Sequence, residues 1–415
     1  MNPEIVVALV LSAVAVQGWL IRRQARYLKR HNDAPPPEYR VVIDREQHQR
    51  AVAYALDRLR LQGLGLVIEA VLTLLWLAAG ALGQLDQWLH AWLENPWLHA
   101  LALFGTVYGI NALVTLPLSW YRQFVVEQRH GFNRMDLHTF VTDRLKMLVL
   151  AILLGAPLLL GLLWIMQNLP HWWLWGGLAL AAVSLLLGWL WPTLIAPLFN
   201  RFTPLPEGPL RRRIEELLAR DGFRLQGIFV MDGSRRSGHG NAYFTGFGRS
   251  KRIVFYDTLL EQLDEEQILA VLAHELGHYR HHHVLQGLLL STLLGILLLA
   301  LAAWLMQWPA FLHLGGVRQP SAASALLAFL LLLPWITVWI EPLLNAWSRR
   351  HEYQADAHAA RLTRPEWLIQ GLLRLYRDNA APVVTDPLYS LFHDSHPPAS
   401  LRIQHLKRLQ HGAST

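Results

Sequence analysis

Seven long apolar stretches set the terms for this chain: residues 5–21, 62–83, 100–120, 147–166, 172–196, 284–308 and 321–340. A helix needs about 20 such residues to cross a hydrocarbon core about 30 Å thick, and each stretch approaches or exceeds that length. A large soluble core also buries apolar helices, but seven of this length are too many for one. Charged residues make up only 16% of the chain, against about 25% in an ordinary soluble protein. The expected class is a predominantly α membrane protein with seven transmembrane helices.

Lysine and arginine sort the connecting segments. Segment 22–60 carries ten of them, from Arg22 to Arg60, and 121–146 carries five, whereas 84–99, 167–171 and 309–320 contain only Arg318. The basic segments are expected in the cytoplasm and the others outside. No basic residue precedes the first apolar stretch and no small-residue cleavage site follows it before Arg22, so it reads as a retained helix. The N-terminus is then outside, and segments 197–283 and 341–415 share the cytoplasmic side. Four units follow: five membrane helices with two cytoplasmic loops (1–196), a first polar segment (197–283), a two-helix hairpin (284–340) and a second polar segment (341–415).

The net charge of +7 matches anionic lipid at the inner surface, and nucleic acid is not an expected partner. A bacterial inner membrane is the expected setting. With no cysteine, any bound metal must be held by His, Asp or Glu.

Within the first polar segment, Gly227–Met231, Lys251–Tyr256 and Ala242–Phe247 read as short strands among glycine-rich turns. A helix is predicted from about Glu265, opened by Asp264 with Gln267 three residues on. That helix carries His274, Glu275, Leu276, Gly277 and His278. Positions i and i+4 share one helix face, so both imidazoles can chelate one metal while Glu275 points at a water beside it. With 20 His and 16 Glu in 415 residues, the pattern arises by chance about 0.04 times per such chain.

A second pattern follows the last apolar stretch. Glu341, Asn345, Arg349, Glu352 and Asp356 are spaced four, four, three and four apart, which places them on one helical face. Such a stripe is either a solvated surface or one wall of a polar site. The expected topology favours the wall, because the hairpin 284–340 leaves the cytoplasm and returns to it, bringing Glu352 back to the side of His274 and His278. Two His and one Glu form a standard zinc set with an open position, and one zinc per chain is expected. Asp356, one turn beyond Glu352, can fix the tautomer of a ligand imidazole or handle a proton late in the reaction. A seven-helix transporter or receptor with structural or signalling zinc is the rival reading. Structural zinc sites tend to be closed four-ligand sets rich in Cys, which this chain lacks.

The His274-Glu275-Leu276-Gly277-His278 and Glu352-Tyr353-Gln354-Ala355-Asp356 segments resemble those of the type I CAAX prenyl protease family of integral-membrane zinc endopeptidases, relatives of the HtpX proteases. Further matches occur in order: Gly131-Phe132-Asn133, Pro197-Leu198-Phe199-Asn200, Asn241-Ala242-Tyr243, Asp257-Thr258-Leu259, Asn345 with Arg349, and His396-Pro397-Pro398 with Arg402. His130 departs from the pattern, which usually has Phe there. The resemblance implies a helical barrel around an intramembrane chamber, with a cytoplasmic zincin-like catalytic domain containing a small sheet. It implies that Glu275 takes a proton from the attacking water and passes it to the leaving amine, and that Asn241 and His396 lie around the substrate. Asn241–Phe244 becomes an edge strand to which an extended substrate adds.

Glu69 and Asn111, polar groups within helices, are expected to face the chamber, an interhelical hydrogen bond being an equal account of Asn111. His281, His282 and His283 read as a polar helix edge at the membrane interface. The implied substrates are peptides or proteins at the membrane, including lipidated Cys-a-a-X tails. Turnover of damaged membrane proteins in the HtpX manner is the alternative work; the oligomeric state is open.

Overall fold

The computed structural model describes residues 3–223, 225–245 and 252–412. From the N-terminus, α1 (Pro3–Arg30), α2 (Arg45–Leu77), α3 (Ala81–His90), α4 (Pro96–Tyr121), α5 (Leu137–Asn168) and α6 (Trp172–Leu190) build the first half. Strand β1 (Phe202–Pro204), α7 (Pro209–Arg220), β2 (Gly227–Met231), β3 (Ala242–Thr245), β4 (Arg252–Tyr256), α8 (Asp257–Gln262) and α9 (Glu265–Arg280) follow. Then come α10 (His283–Leu305), α11 (Pro309–Leu312), α12 (Ala322–Thr337), α13 (Glu341–Leu362), α14 (Pro365–Asp378), α15 (Pro387–His393) and α16 (Ala399–Gly412).

Among the described residues six helices are long and apolar enough to cross a membrane, and a seventh span is available if α12 and α13, bent by 62° where they meet, count as one. Leu153, Leu289 and Leu297 each expose more than half their surface, an arrangement suited to lipid and unfavourable in water.

The basic segments are less loop-like than expected. Segment 22–60 is mostly helix, because α1 continues to Arg30 and α2 begins at Arg45. Asp44 starts α2 by accepting from Gln47 N at 2.8 Å, while Gln47 Oε1 accepts from Asp44 N at 3.1 Å, so two otherwise orphaned donors are satisfied together. At about 1.5 Å per residue, the 33 residues of α2 reach about 50 Å, well beyond a bilayer core. The second apolar stretch is divided at Gly80, whose φ of 82° ends the helical path between α2 and α3.

The sheet has order β1-β2-β4-β3, with β2 and β4 parallel and the outer strands antiparallel to their neighbours. β3 is therefore an edge, as expected. The strand expected over 242–247 is observed as Ala242–Thr245 and that over 251–256 as Arg252–Tyr256; Gly246, Phe247 and Lys251 lie outside the described residues. β1 was not anticipated, since three residues ending in proline carry no period.

Apolar cores hold these parts, three of them large and a smaller one around Tyr54, Val126 and Phe132. One fills the bundle around Leu103, Leu163, Phe329 and Leu332. Another packs the sheet against α9 through Ile253, Phe255, Ala273 and Leu276. A third joins the two halves of the chain, setting Leu28, Tyr39 and Leu59 against Leu373, Val383 and Ile403.

Candidate active site

α9 presents His274 and His278 from successive turns, and α13 crosses it closely. The close approach depends on small residues: a Cβ on Gly277 would lie 2.7 Å from Ala355 Cα, and Ala273, Ala355 and Ala359 are fully buried. Glu352 is thereby carried onto the two imidazoles. His274 Nε2 is 3.2 Å from His278 Nε2 and 3.5 Å from Glu352 Oε2, and His278 Nε2 is 3.3 Å from Glu352 Oε1.

These separations fit a metal. Donors about 2.0 Å from a tetrahedral zinc lie about 3.3 Å from one another. Glu352 Oε2 is buried and accepts no well-formed hydrogen bond, although His396 Nδ1 stands 2.8 Å away. An unsatisfied carboxylate oxygen facing two imidazole nitrogens is a cation site by chemistry as well as spacing.

The surroundings orient the ligands. Asp356, fully buried, lies 2.8 Å from His274 Nδ1 and so leaves Nε2 free to ligate, the usual arrangement behind a metal-binding histidine. Arg402 grips Asp356 through two bonds, Nε to Oδ2 at 2.9 Å and Nη2 to Oδ1 at 2.6 Å. Burial and the Arg402 charge oppose protonation of His274, yet hydrogen bonds to Asp356 and Glu352 push it up to about 9. The site thus strongly favours a positive charge at the imidazole pair, proton or metal. Arg402 is itself raised: its own burial works against the charge, and Asp356 overrides that burial.

His283 departs from expectation. It is buried, its Nδ1 is 3.0 Å from His278 Nδ1, and its Nε2 is 2.8 Å from Gln354 Oε1. It braces the His278 imidazole as Asp356 braces that of His274, whereas His282 remains exposed. The sequence reading missed this because the turn after α9, where His282 takes φ 57°, redirects the chain. Arg402 was noted only as part of a pattern, and its ion pair with Asp356 crosses from α16 to α13.

The polar stripe of α13 is a wall of the site. Asn345 Nδ2 donates to Phe392 O, and Arg349 Nη1 donates to Asp394 O at 2.7 Å, holding the segment that delivers His396. The His396 side chain is 65% exposed, with its Nδ1 toward Glu352. Asn241 starts the edge strand, its main-chain oxygen accepting from Tyr256 N at 2.9 Å and its side chain turned onto Ala242 N at 2.9 Å. Glu275 lies on α9 between the two histidines.

The other matched segments converge on the loop before β3. Arg236 binds Asp143 at 2.8 Å and Asn200 Oδ1 at 2.9 Å, Asn133 bridges Ser237, and Phe132 stacks on His239 with ring centres 4.2 Å apart. His130, the departure, is accommodated by Asp57, 3.1 Å from its Nε2. Asn111 Oδ1 accepts from Trp76 Nε1 at 2.9 Å, so its interhelical bond is real. Glu69 lines a cavity of about 370 Å³ with Glu341 and His393. A cavity of about 780 Å³ reaches His396 and adjoins one of about 1020 Å³ that reaches Tyr243, both bounded by Arg58, Ser119 and Arg122.

A His–His–Glu triad spaced for a metal, on two crossed helices within a multi-pass helical frame, is the arrangement expected of a zinc metalloendopeptidase of the membrane. Residues 24–201 match the model of the CAAX prenyl protease N-terminal region, with five membrane helices, and residues 204–410 match peptidase family M48. The CAAX prenyl protease 1 homolog of Oryza sativa is 37% identical over 380 residues, covering 88% of each chain, and the human homolog is 32% identical, covering 95% of this chain and 93% of its own. The crystal structure of S. mikatae Ste24p superposes with a TM-score of 0.90 at 32% identity, covering 97% of this chain and 98% of that one. The chain belongs to the CAAX prenyl protease 1 family of M48 metallopeptidases.

Proposed function

We propose that this protein hydrolyses peptide bonds of membrane-associated substrates, including CAAX-type tails, using one zinc held by His274, His278 and Glu352 with Glu275 as general base. The carrying observation is the triad itself, three donors 3.2 to 3.5 Å apart. Bound there, zinc would polarise the scissile carbonyl and make a water acidic enough to attack near neutral pH. Glu275 takes the proton from that water and gives it to the leaving amine. An extended substrate adds to the free edge of β3, so that main-chain hydrogen bonds hold it beside the ligands. His396 donates to the substrate carbonyl region, Asn241 anchors the start of the edge strand, and Asp356 holds the His274 tautomer.

The seven helices form a barrel whose adjoining cavities are parts of one chamber, opening at the metal. The distribution of Lys and Arg puts the N-terminus outside and the C-terminus and catalytic site in the cytoplasm. Prenylated Cys-a-a-X peptides are proposed as substrates from the names of the relatives, CAAX prenyl proteases.

Glu275→Gln is the direct test. The variant is expected to keep its zinc and lose cleavage of a farnesylated Cys-a-a-X peptide by at least about 10²-fold, read by mass spectrometry; cleavage at the wild-type rate would refute the mechanism.

A further inference from the structure

A second cluster of metal-binding side chains lies away from the triad. Asp86, His90 and His99 each offer a donor atom, and these atoms lie within 4.8 Å of one another. Asp86 and His90 are one turn apart on α3 and share a face. His99 stands in the first turn of α4, started by Asn95, whose Oδ1 accepts from Trp97 N and Leu98 N. The three therefore bridge two helices across a short turn. They sit at the far end of α2 from Tyr54, which packs with His130 and His239 beside the sheet. α3 is seated firmly there: a Cβ on Gly83 would meet the Gly316 backbone at 2.1 Å.

His90 Nδ1 lies 2.9 Å and His99 Nε2 3.4 Å from the Asp86 main-chain oxygen, and it is the Asp86 carboxylate that these bonds leave unserved. Asp86 is 1% exposed, and its Oδ1 has no hydrogen-bond partner. His99 Nε2 lies 3.4 Å from Oδ1 and His90 Nδ1 lies 3.8 Å from Oδ2, longer than the ~2.8 Å of a charge-assisted bond. They are close to the spacing of about 3.3 Å that donors adopt around a tetrahedral ion. The two rings pack together tilted by 51°, with centres 3.9 Å apart. A divalent ion seated among them would replace the contacts of both imidazoles with the Asp86 main-chain oxygen and satisfy the buried carboxylate oxygen at the same time.

We infer that Asp86, His90 and His99 form a second, structural site for a divalent transition ion of the zinc class, pinning α3 to α4 at the end of the bundle opposite the catalytic centre. Two imidazoles and a carboxylate select zinc, cobalt or nickel over magnesium or calcium. The His90 side chain, 39% exposed, gives an ion a way in and leaves room for a water in the fourth position.

The test is metal counting on the full chain, purified in detergent without a histidine tag. Wild type is expected to hold two equivalents of zinc, and His99→Ala one, with peptide cleavage retained as proof of folding. The double variant His278→Ala/Glu352→Ala, which lacks the catalytic site, should still take up one equivalent of cobalt with the visible bands of imidazole ligation. Adding His90→Ala and His99→Ala to it should abolish those bands. If wild type holds a single equivalent at saturating zinc, or the double variant gives no saturable cobalt spectrum, the second site does not exist.

Discussion

Each imidazole of the triad has one partner that fixes it, so single changes should separate binding from catalysis. Glu352→Ala leaves two imidazoles to hold the ion, and purified protein is expected to lose bound zinc; unchanged metal content would refute the ligand assignment. Asp356→Asn keeps the shape but offers an amide where a carboxylate held the His274 Nδ1 proton. Changes behind a ligand histidine typically weaken metal binding 10- to 100-fold, and a zinc competition titration should show a loss in that range. Arg402, left facing a neutral amide in a buried place, should make the variant less stable as well. The pairing of His274 and His278 on one face, with Glu275 between them, was legible because H-E-x-x-H has a fixed helical geometry. Glu352 was reached only by following the topology, and Arg402 and His283 were not recognised as partners, because their contacts join positions 128 and five residues from the ligands they serve.

Among the elements, the crossing of α9 and α13 decides whether a site exists. Gly277 occupies the x-x position of the motif nearest α13, where a methyl group would meet Ala355 Cα at 2.7 Å and His358 Cβ at 3.0 Å. Gly277→Ala must push helix against helix, at a cost of about 1–3 kcal/mol for overpacking. We expect a lowered melting temperature together with reduced zinc content, since Glu352 rides on the displaced helix; a variant with normal melting and metal content would show that the helices have slack. Helix α9 and its Asp264 start were readable from local signals, and Gln267 Oε1 does accept from Asp264 N at 3.2 Å. The extent of α1 and α2 was not: their polar ends alternate with apolar residues that pack on α14 and α16, a partnership invisible in the segment alone.

For the molecule as a whole, the shared core of Leu28, Tyr39, Leu373 and Ile403 makes the membrane half and the catalytic half one folding unit, reinforced by Arg23 paired with Asp386 at 2.8 Å. Orientation in the bilayer can be checked because the chain has no cysteine. A single cysteine at Glu38, exposed in the turn between α1 and α2 that is proposed to be cytoplasmic, should label only after the cytoplasmic side is opened, and one at Glu94 should label from outside. The reverse pattern would invert the proposed topology. Local composition was enough to determine that this chain crosses membranes repeatedly and carries a metal-binding pentapeptide on a helix, because hydrophobic length and helical period are properties of contiguous residues. Tertiary structure alone decided how closely Glu352 approaches the two imidazoles, which groups brace them and where Asp86 meets His99. Those outcomes depend on how closely separate helices approach, and small side chains such as Gly277 and Gly83 set that distance only once their partners are in place.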